Sequence, residues 1–290
     1  LGFAQRIFGV LICIIQVHST WRPYVNCWVR MMNGVSTADA SPSTVVFPGL
    51  PGEDTTVSCM KCYRDAQVLL QAANAVIETD GAFGAVKMSC FNRDVLPSSM
   101  QAASVSMDAS TKTISFCWVE GRRIVSIDIL PEQRVLLRKV LEADGVTATE
   151  ERMAIAIFEF IAVPMAQFQF GQRWKELGIT TVFYYIDNQN ACTWLTKGFA
   201  GSAIGQDLCR VVAANEFAYA NKGFSIWTPT EVNKINDTRT RLEKSDGSVD
   251  YAAVEYLAYL QSQLDEPYVD EAPCSEVVSL LQHVSGLEHC

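Results

Sequence analysis

Apolar positions recur at helical spacing through the first 100 residues and change to strand-like alternation near residue 104. Phe8, Leu11, Ile14 and Ile15 share one face, as do Val25, Trp28, Val29 and Met32, so residues 5–33 read as two helices broken near Ser19–Pro23. Val35–Pro51 is rich in Ser, Thr, Gly and Pro and reads as a loop or linker. Tyr63–Thr79 carries a stripe of Val68, Leu69, Ala72, Val76 and Ile77, the pattern of an amphipathic helix. Alternation begins at Ser104-Val-Ser-Met-Asp108, a strand with Ser106 and Asp108 on the same side. Thr113–Val119 and Arg123–Leu130 follow as short strands about a turn at Gly121. A long helix is expected from Thr149 to Trp174, opened by Thr149 with Glu150 and Glu151 in its first turn. Pro164 inside it removes a backbone hydrogen bond and is expected to kink or end the helix.

Thr181–Ile186, β-branched and aromatic throughout, has the pattern of a buried strand. Two helices follow, Gln189–Lys197 closed by Gly198 and Ile204–Lys222 closed by Gly223. Phe224–Trp227 is the last strand, ended by Pro229, and Val232–Leu242 is expected to be helical. The first three strands read as an antiparallel meander, while the later ones return through helices and can pair in parallel. The expected fold is therefore α/β, a mixed five-stranded sheet flanked by helices and preceded by a small helical region. Its divisions fall at residues 1–100, 101–242 and 243–290.

Composition fits a globular chain, with 49% hydrophobic and 19% charged residues. The net charge of -9 is unfavourable for phosphate binding until its distribution is considered. From Glu243 onward there are ten acidic residues against one basic residue, Lys244, so the acidity belongs to the tail and the body is neutral. The tail has helical apolar spacing of its own, at Val254, Leu257, Leu260 and Leu264 and again at Val277, Leu280, Leu281 and Val284; it either packs on the body or binds a partner. The body has no conspicuous basic patch, which lowers the expected affinity for nucleic acid. Ten scattered cysteines form no disulfide-like framework, and Cys59-Met-Lys-Cys62 stands alone, so reduced thiols in an intracellular compartment, cytoplasm or nucleus, are expected in preference to a zinc or redox site. The apolar run Ile7–Val17 imitates a signal peptide but is too short to span a bilayer, and a buried helix is the expected reading, with no membrane partner. A first residue that is Leu1 points to a piece of a longer chain.

Glu159 is the only charged side chain between Met153 and Gln172, in a run apolar on nearly every face. A buried carboxylate costs several kcal/mol unless it meets a partner or a metal. Asp187 lies at the carboxyl end of a buried strand, where open α/β sheets place their active sites and where helix N-caps also occur. Asp108 ends the alternating strand and carries the same two readings. Three carboxylates from three core elements can converge at one sheet edge, and such hard oxygen ligands suit Mg²⁺ or Mn²⁺.

Four blocks of sequence resemble a known family. Asp108-Ala-Ser, Phe158-Glu159-Phe-Ile-Ala and Tyr185-Ile-Asp187-Asn188 are similar to the first three catalytic blocks of the ribonucleases H of retrotransposon reverse transcriptases. Thr228-Pro-Thr-Glu-Val-Asn233-Lys-Ile-Asn-Asp237-Thr-Arg-Thr-Arg241 resembles the fourth, with Pro229, Asn233, Asp237 and Arg241 spaced without a gap. The match covers about residues 104–242. More weakly, Phe3–Met32 is similar to the helix pair that follows the polymerase palm, whose own catalytic aspartates this sequence lacks. Tyr185-Ile-Asp187-Asn188 also has a superficial likeness to the polymerase Tyr-x-Asp-Asp signature, without its second carboxylate.

The resemblance implies a ribonuclease H-like fold that hydrolyses the RNA strand of an RNA–DNA hybrid with two Mg²⁺ (or Mn²⁺) ions, joined to an upstream polymerase domain of the same polyprotein. It implies that Asp108 bridges the two ions, that Glu159 and Asp187 complete one coordination shell, and that Asp237 completes the other. Asn188, Gln189, Asn233 and Arg241 would face nucleic acid, with capping of the following helix the alternative for Asn188 and Gln189. Trp227 stands where many relatives have a histidine thought to assist product release. The competing readings are a catalytically decayed module that binds nucleic acid or supports the polymerase, and another nuclease or integrase-like member of the same fold.

Overall fold

The alternating stretch builds strand β1, Ala102–Ala109, followed by β2, Thr113–Trp118, and β3, Arg123–Asp128. The computed structural model describes residues 22–25, 60, 63–69, 71, 102–135, 151–200, 202–244 and 246–285. Contacts divide the chain into two units, Leu1–Ser98 and Ser99–Cys290. In the first, residues 22–25 and 63–69 are helical, so helix occupies positions where the sequence pointed to a break at Pro23. Leu69 is buried and Val68 exposed, while Ile7–Val17, Cys59, Cys62, the Val35–Pro51 linker and the rest of the 63–79 stripe lie outside the described residues.

In the second unit, helix α1, Glu151–Glu176, precedes β4, Thr181–Ile186. Helices α2, Gln189–Lys197, and α3, Ala203–Ala218, lead to β5, Lys222–Trp227, and α4, Lys234–Arg239. The tail forms α5, Tyr251–Ser262, β6, Val269–Asp270, and α6, Ser275–Val284. The sheet has six strands in the order β5-β4-β1-β2-β3-β6, not five. β1, β2 and β3 pair antiparallel, whereas β4 joins β1, β5 joins β4 and β6 joins β3 in parallel. This is a mixed α/β sheet flanked by helices. No helix among the described residues is long and apolar enough to cross a membrane.

Strand alternation decides which face is covered. Val105, Met107, Ile114, Phe116, Val182 and Tyr184 are buried in the same core as α1, with Phe160, Phe170 and Trp174 fully enclosed. Phe116 and Phe170 meet edge to face at 5.9 Å, and Trp118 meets Trp174 the same way at 6.2 Å. The other face of β1 and β2 carries Ser106, Asp108, Ser115 and Cys117, which is where α4 lies.

Several expectations change. Helix α1 runs through Pro164 instead of ending there. One lost hydrogen bond does not stop a helix whose residues 160–163, 165 and 166 are all fully buried. Helix α3 ends at Ala218, and Lys222 and Gly223 belong to β5. Ala220, at φ 53°, makes the left-handed turn expected of Gly223. Gly223 serves another purpose, because a Cβ there would lie 2.7 Å from the Tyr184 ring. Glu216, 1% exposed, pins the connection by accepting from Lys222 Nζ at 2.7 Å and Gly223 N at 2.8 Å. The helix expected over Val232–Leu242 is only Lys234–Arg239. Finally, residues 243–290 do not stand apart: Val277, Leu280, Leu281 and Val284 enter the main core.

Candidate active site

Parallel pairing of β1 with β4 aligns their carboxyl ends, and two of the four acids follow from that register. Ser106 faces Tyr185 across the pair, so Asp108 and Asp187, each two residues on, come together past the last paired position. Glu159 reaches the same end from α1, and Asp237 from α4. Their mutual influence locates the cluster: Asp108 feels the charges of Asp187 and Asp237, Glu159 those of Asp187 and Asp108, and Asp237 that of Asp187. Asp187 is thus the common neighbour of the other three.

Burial dominates the chemistry. Asp108 is 6% exposed and its carboxyl is pushed up to about 6, chiefly by desolvation, with Thr240 Oγ1 donating a hydrogen bond to Oδ2 in opposition. Glu159, 5% exposed, is pushed up to about 10 by desolvation, then by its hydrogen bond to Asp187 and the charges of Asp187 and Asp108, against a hydrogen bond from Asn188. Asp237 is raised by burial and Asp187, with Arg241 opposing.

Three of the four acids leave a buried oxygen without a hydrogen-bond donor: Glu159 Oε2, Asp187 Oδ1 and Asp237 Oδ1. A Glu159 carboxyl pushed up this far holds its proton at neutral pH. Arg241 Nη2 approaches Asp237 Oδ1 to 2.5 Å as an ion pair without completing a hydrogen bond. Unsatisfied carboxylate oxygens, supplied from α1, the end of β4 and α4, are hard donors that suit a divalent cation. As they stand, however, no group of three or more His, Cys, Asp or Glu side chains among the described residues is arranged to hold a metal ion.

The other named residues divide by exposure. Asn188 caps α2, its Oδ1 accepting from Asn190 N at 2.9 Å and Ala191 N at 3.2 Å. Gln189 is exposed in the first turn of α2. The Arg241 side chain is 66% exposed. Asn233 is 6% exposed and its amide is occupied inside the protein: Nδ2 donates to Met107 O at 2.6 Å, and Oδ1 accepts from Ser106 Oγ at 2.6 Å. It joins α4 to β1.

Asn236, 1% exposed, extends that junction by accepting from Ser115 Oγ at 2.9 Å and donating to Asn233 Oδ1 at 3.1 Å. This polar layer seats α4, and hence Asp237, on the sheet. Asn236→Ala strands Ser115 and Asn233 in a buried setting and is expected to destabilise the unit by about 2 kcal/mol in urea unfolding.

Sequence reading missed Thr230, whose Oγ1 donates to Asp187 Oδ2 at 2.9 Å, and Thr240 on Asp108. Both lie in the Thr228–Arg241 block that drew attention for other residues. No family model, curated protein or solved structure matches this chain.

Proposed function

We propose that residues 99–290 form a ribonuclease H-like nuclease that cuts the RNA strand of an RNA–DNA hybrid, as the C-terminal part of a retroelement reverse transcriptase. The observation that carries this reading is the set of four carboxylates at one end of the sheet, Asp108 and Glu159 buried, with oxygens of Glu159 and Asp187 that no donor meets. The meander of β1, β2 and β3 followed by parallel returns of β4 and β5 supports the ribonuclease H-like assignment.

Two Mg²⁺ or Mn²⁺ ions, when bound, would activate water and stabilise the leaving oxygen. Glu159 and Asp187 would share one ion, Asp237 would serve the other, and Asp108 both. Asp187 is held for that work on two sides, by Thr230 on its carboxylate and by Trp227 Nε1, which donates to its backbone oxygen at 2.9 Å. Thr240 orients Asp108 in the same way. To hold a cation Glu159 would have to release its proton, so such binding would be favoured by rising pH. Asn188 and exposed Gln189 follow Asp187 in the chain and would be the residues to meet the 2′-hydroxyls of a bound strand, although Asn188 Oδ1 also caps α2.

The test is Mg²⁺-dependent cleavage of the RNA strand in a labelled hybrid by purified chain. Asp187→Asn is expected to reduce the rate at least 1,000-fold, on the order of a lost metal ligand. Cleavage that survives this substitution would remove Asp187 from the site. Hybrid binding without any cleavage would instead favour the non-catalytic module.

A further inference from the structure

Trp227, the last residue of β5, is 52% exposed, whereas Trp118, Trp174 and Trp194 are each 7% exposed or less. Exposure has not left it loose, since its indole N–H is committed to the Asp187 carbonyl at 2.9 Å. A tryptophan that served packing alone would turn its large apolar face inward. This one is fixed by its polar edge to the backbone of a site acid and presents ring surface to solvent. Ile226 and Val232, on either side of it in the chain, are 37% and 72% exposed. The border of the cluster is therefore apolar where phosphate recognition would call for cations. Arg241, four residues after Asp237, is already paired with that acid at 2.5 Å, and Lys234 is the other exposed cation of this segment.

We propose that Trp227 is a substrate-contacting residue whose ring face packs against the sugar of a nucleotide next to the phosphate held at the four acids. The inference rests on the nuclease reading and adds to it a non-ionic anchor for the strand. A hybrid duplex closes its base faces by stacking but presents sugars along a wide, shallow minor groove, so an aromatic face at Asp187 meets ribose. Aromatic contacts of this kind do not discriminate sequence and supply affinity that salt does not screen. Binding is accordingly expected to fall only shallowly as salt rises.

Two measurements on the full chain test this. In steady-state cleavage with Mg²⁺, Trp227→Ala is expected to raise KM about tenfold, and Trp227→Phe to recover most of that loss because it keeps a ring; both variants lose the N–H bond to Asp187, so a fall in kcat is expected in both alike. An unchanged KM for the alanine variant overturns the proposal. So does an equal rise in both variants, because the lost N–H bond to Asp187 would then be the cause. The second measurement is tryptophan emission during titration with a short RNA–DNA hybrid, with Ca²⁺ replacing Mg²⁺. A blue shift in the natural chain that disappears in Trp227→Phe supports the contact even if the alanine variant fails to fold, and a shift retained in Trp227→Phe, or none at all, overturns it. Should the natural chain cut nothing, this titration separates the two ideas: a Trp227-dependent shift keeps the contact while the nuclease reading falls.

Discussion

Glu159→Gln is expected to abolish metal-dependent cleavage and, in the same protein without metal, to raise the melting temperature at neutral pH by roughly 5–10 °C. Both effects come from one property of the site. Glu159 is 5% exposed among Asp187 and Asp108, and its carboxyl is pushed up to about 10 by burial, then by its contact with Asp187. In the folded metal-free protein at pH 7 it holds a proton, whereas in the unfolded chain it is ionised. A folded-state value raised above the unfolded one gives stability that is complete below the unfolded pKa and is lost as pH rises toward the folded pKa. For Glu159 that window runs from the ordinary value of 4.5 up to about 10. At pH 7 the group therefore costs about 3 kcal/mol relative to acid conditions. Glutamine keeps the shape and a donor for Asp187 without taking up a proton, so it removes this cost. The gain is expected to vanish near pH 4.5 and to widen as pH rises. Asp108 follows the same sign in a narrower window, from the ordinary 3.8 to about 6. Thermal unfolding of both proteins across pH 4–8, with and without Mg²⁺, provides the check. Mg²⁺ should stabilise the natural chain and leave Glu159→Gln nearly unmoved. Equal melting temperatures for the two metal-free proteins at every pH would mean that Glu159 is not strained by its surroundings.

That trade between stability and chemistry explains what could be read without coordinates. Glu159 was legible because a single carboxylate in an apolar helical run has to be explained, and burial is a property of the run itself. Asp108 and Asp187 were legible because strand alternation and strand ends are local patterns, and the Thr181–Ile186 strand has the same bounds in the structure. Thr240 and Thr230 were not, because hydroxyl contacts to Asp108 and Asp187 bridge 132 and 43 residues and leave no periodic trace. Glycine misled for a related reason. Gly121 was read as marking a turn and Gly223 as closing a helix, yet Arg122 and Ala220 take the positive φ. At Gly121 a Cβ would fall 2.3 Å from the Trp118 ring, so that glycine, like Gly223 beside Tyr184 of the adjacent strand, makes room for an aromatic side chain. Of the kink or end expected at Pro164, the end does not occur, because local helix rules omit the burial that surrounds it. For the tail, apolar spacing left packing on the body and binding a partner both open, and its acids Asp270 and Glu271 turn out to be paired on the body. Glu271 in fact lies 2.7 Å from Arg173 and 3.3 Å from Arg123, and Asp270 lies 2.5 Å from Arg239.

A chain ending at Leu242 is therefore expected to lose its cooperative fold. Removing the tail takes Val277, Leu280, Leu281 and Val284 out of the core and uncovers the helices they pack on. At about 1.5–3 kcal/mol for each fully buried aliphatic side chain, the loss is about 6–12 kcal/mol. Whole domains have only about 5–15 kcal/mol to lose. The deletion also removes β6 from the edge of β3, exposing backbone groups of Arg122 and Ile124 that bond to Val269 and Glu271. It leaves the guanidinium of Arg239, 11% exposed, without Asp270. Because Arg239 lies on α4 two residues from Asp237, the damage reaches the site as well as the core. Circular dichroism should show helical signal persisting while the near-ultraviolet bands of Trp118 and Trp174 collapse, with dye binding to exposed apolar surface. Leu280→Ala in the full chain is the graded version, expected to cost about 2–5 kcal/mol in urea unfolding while retaining the folded state. A truncated chain that melts cooperatively near the temperature of the full protein would show that the tail only rests on the fold. The core it fills says otherwise: α6 covers the same helix that carries Glu159, so of the two readings the tail allowed, packing on the body is the one observed.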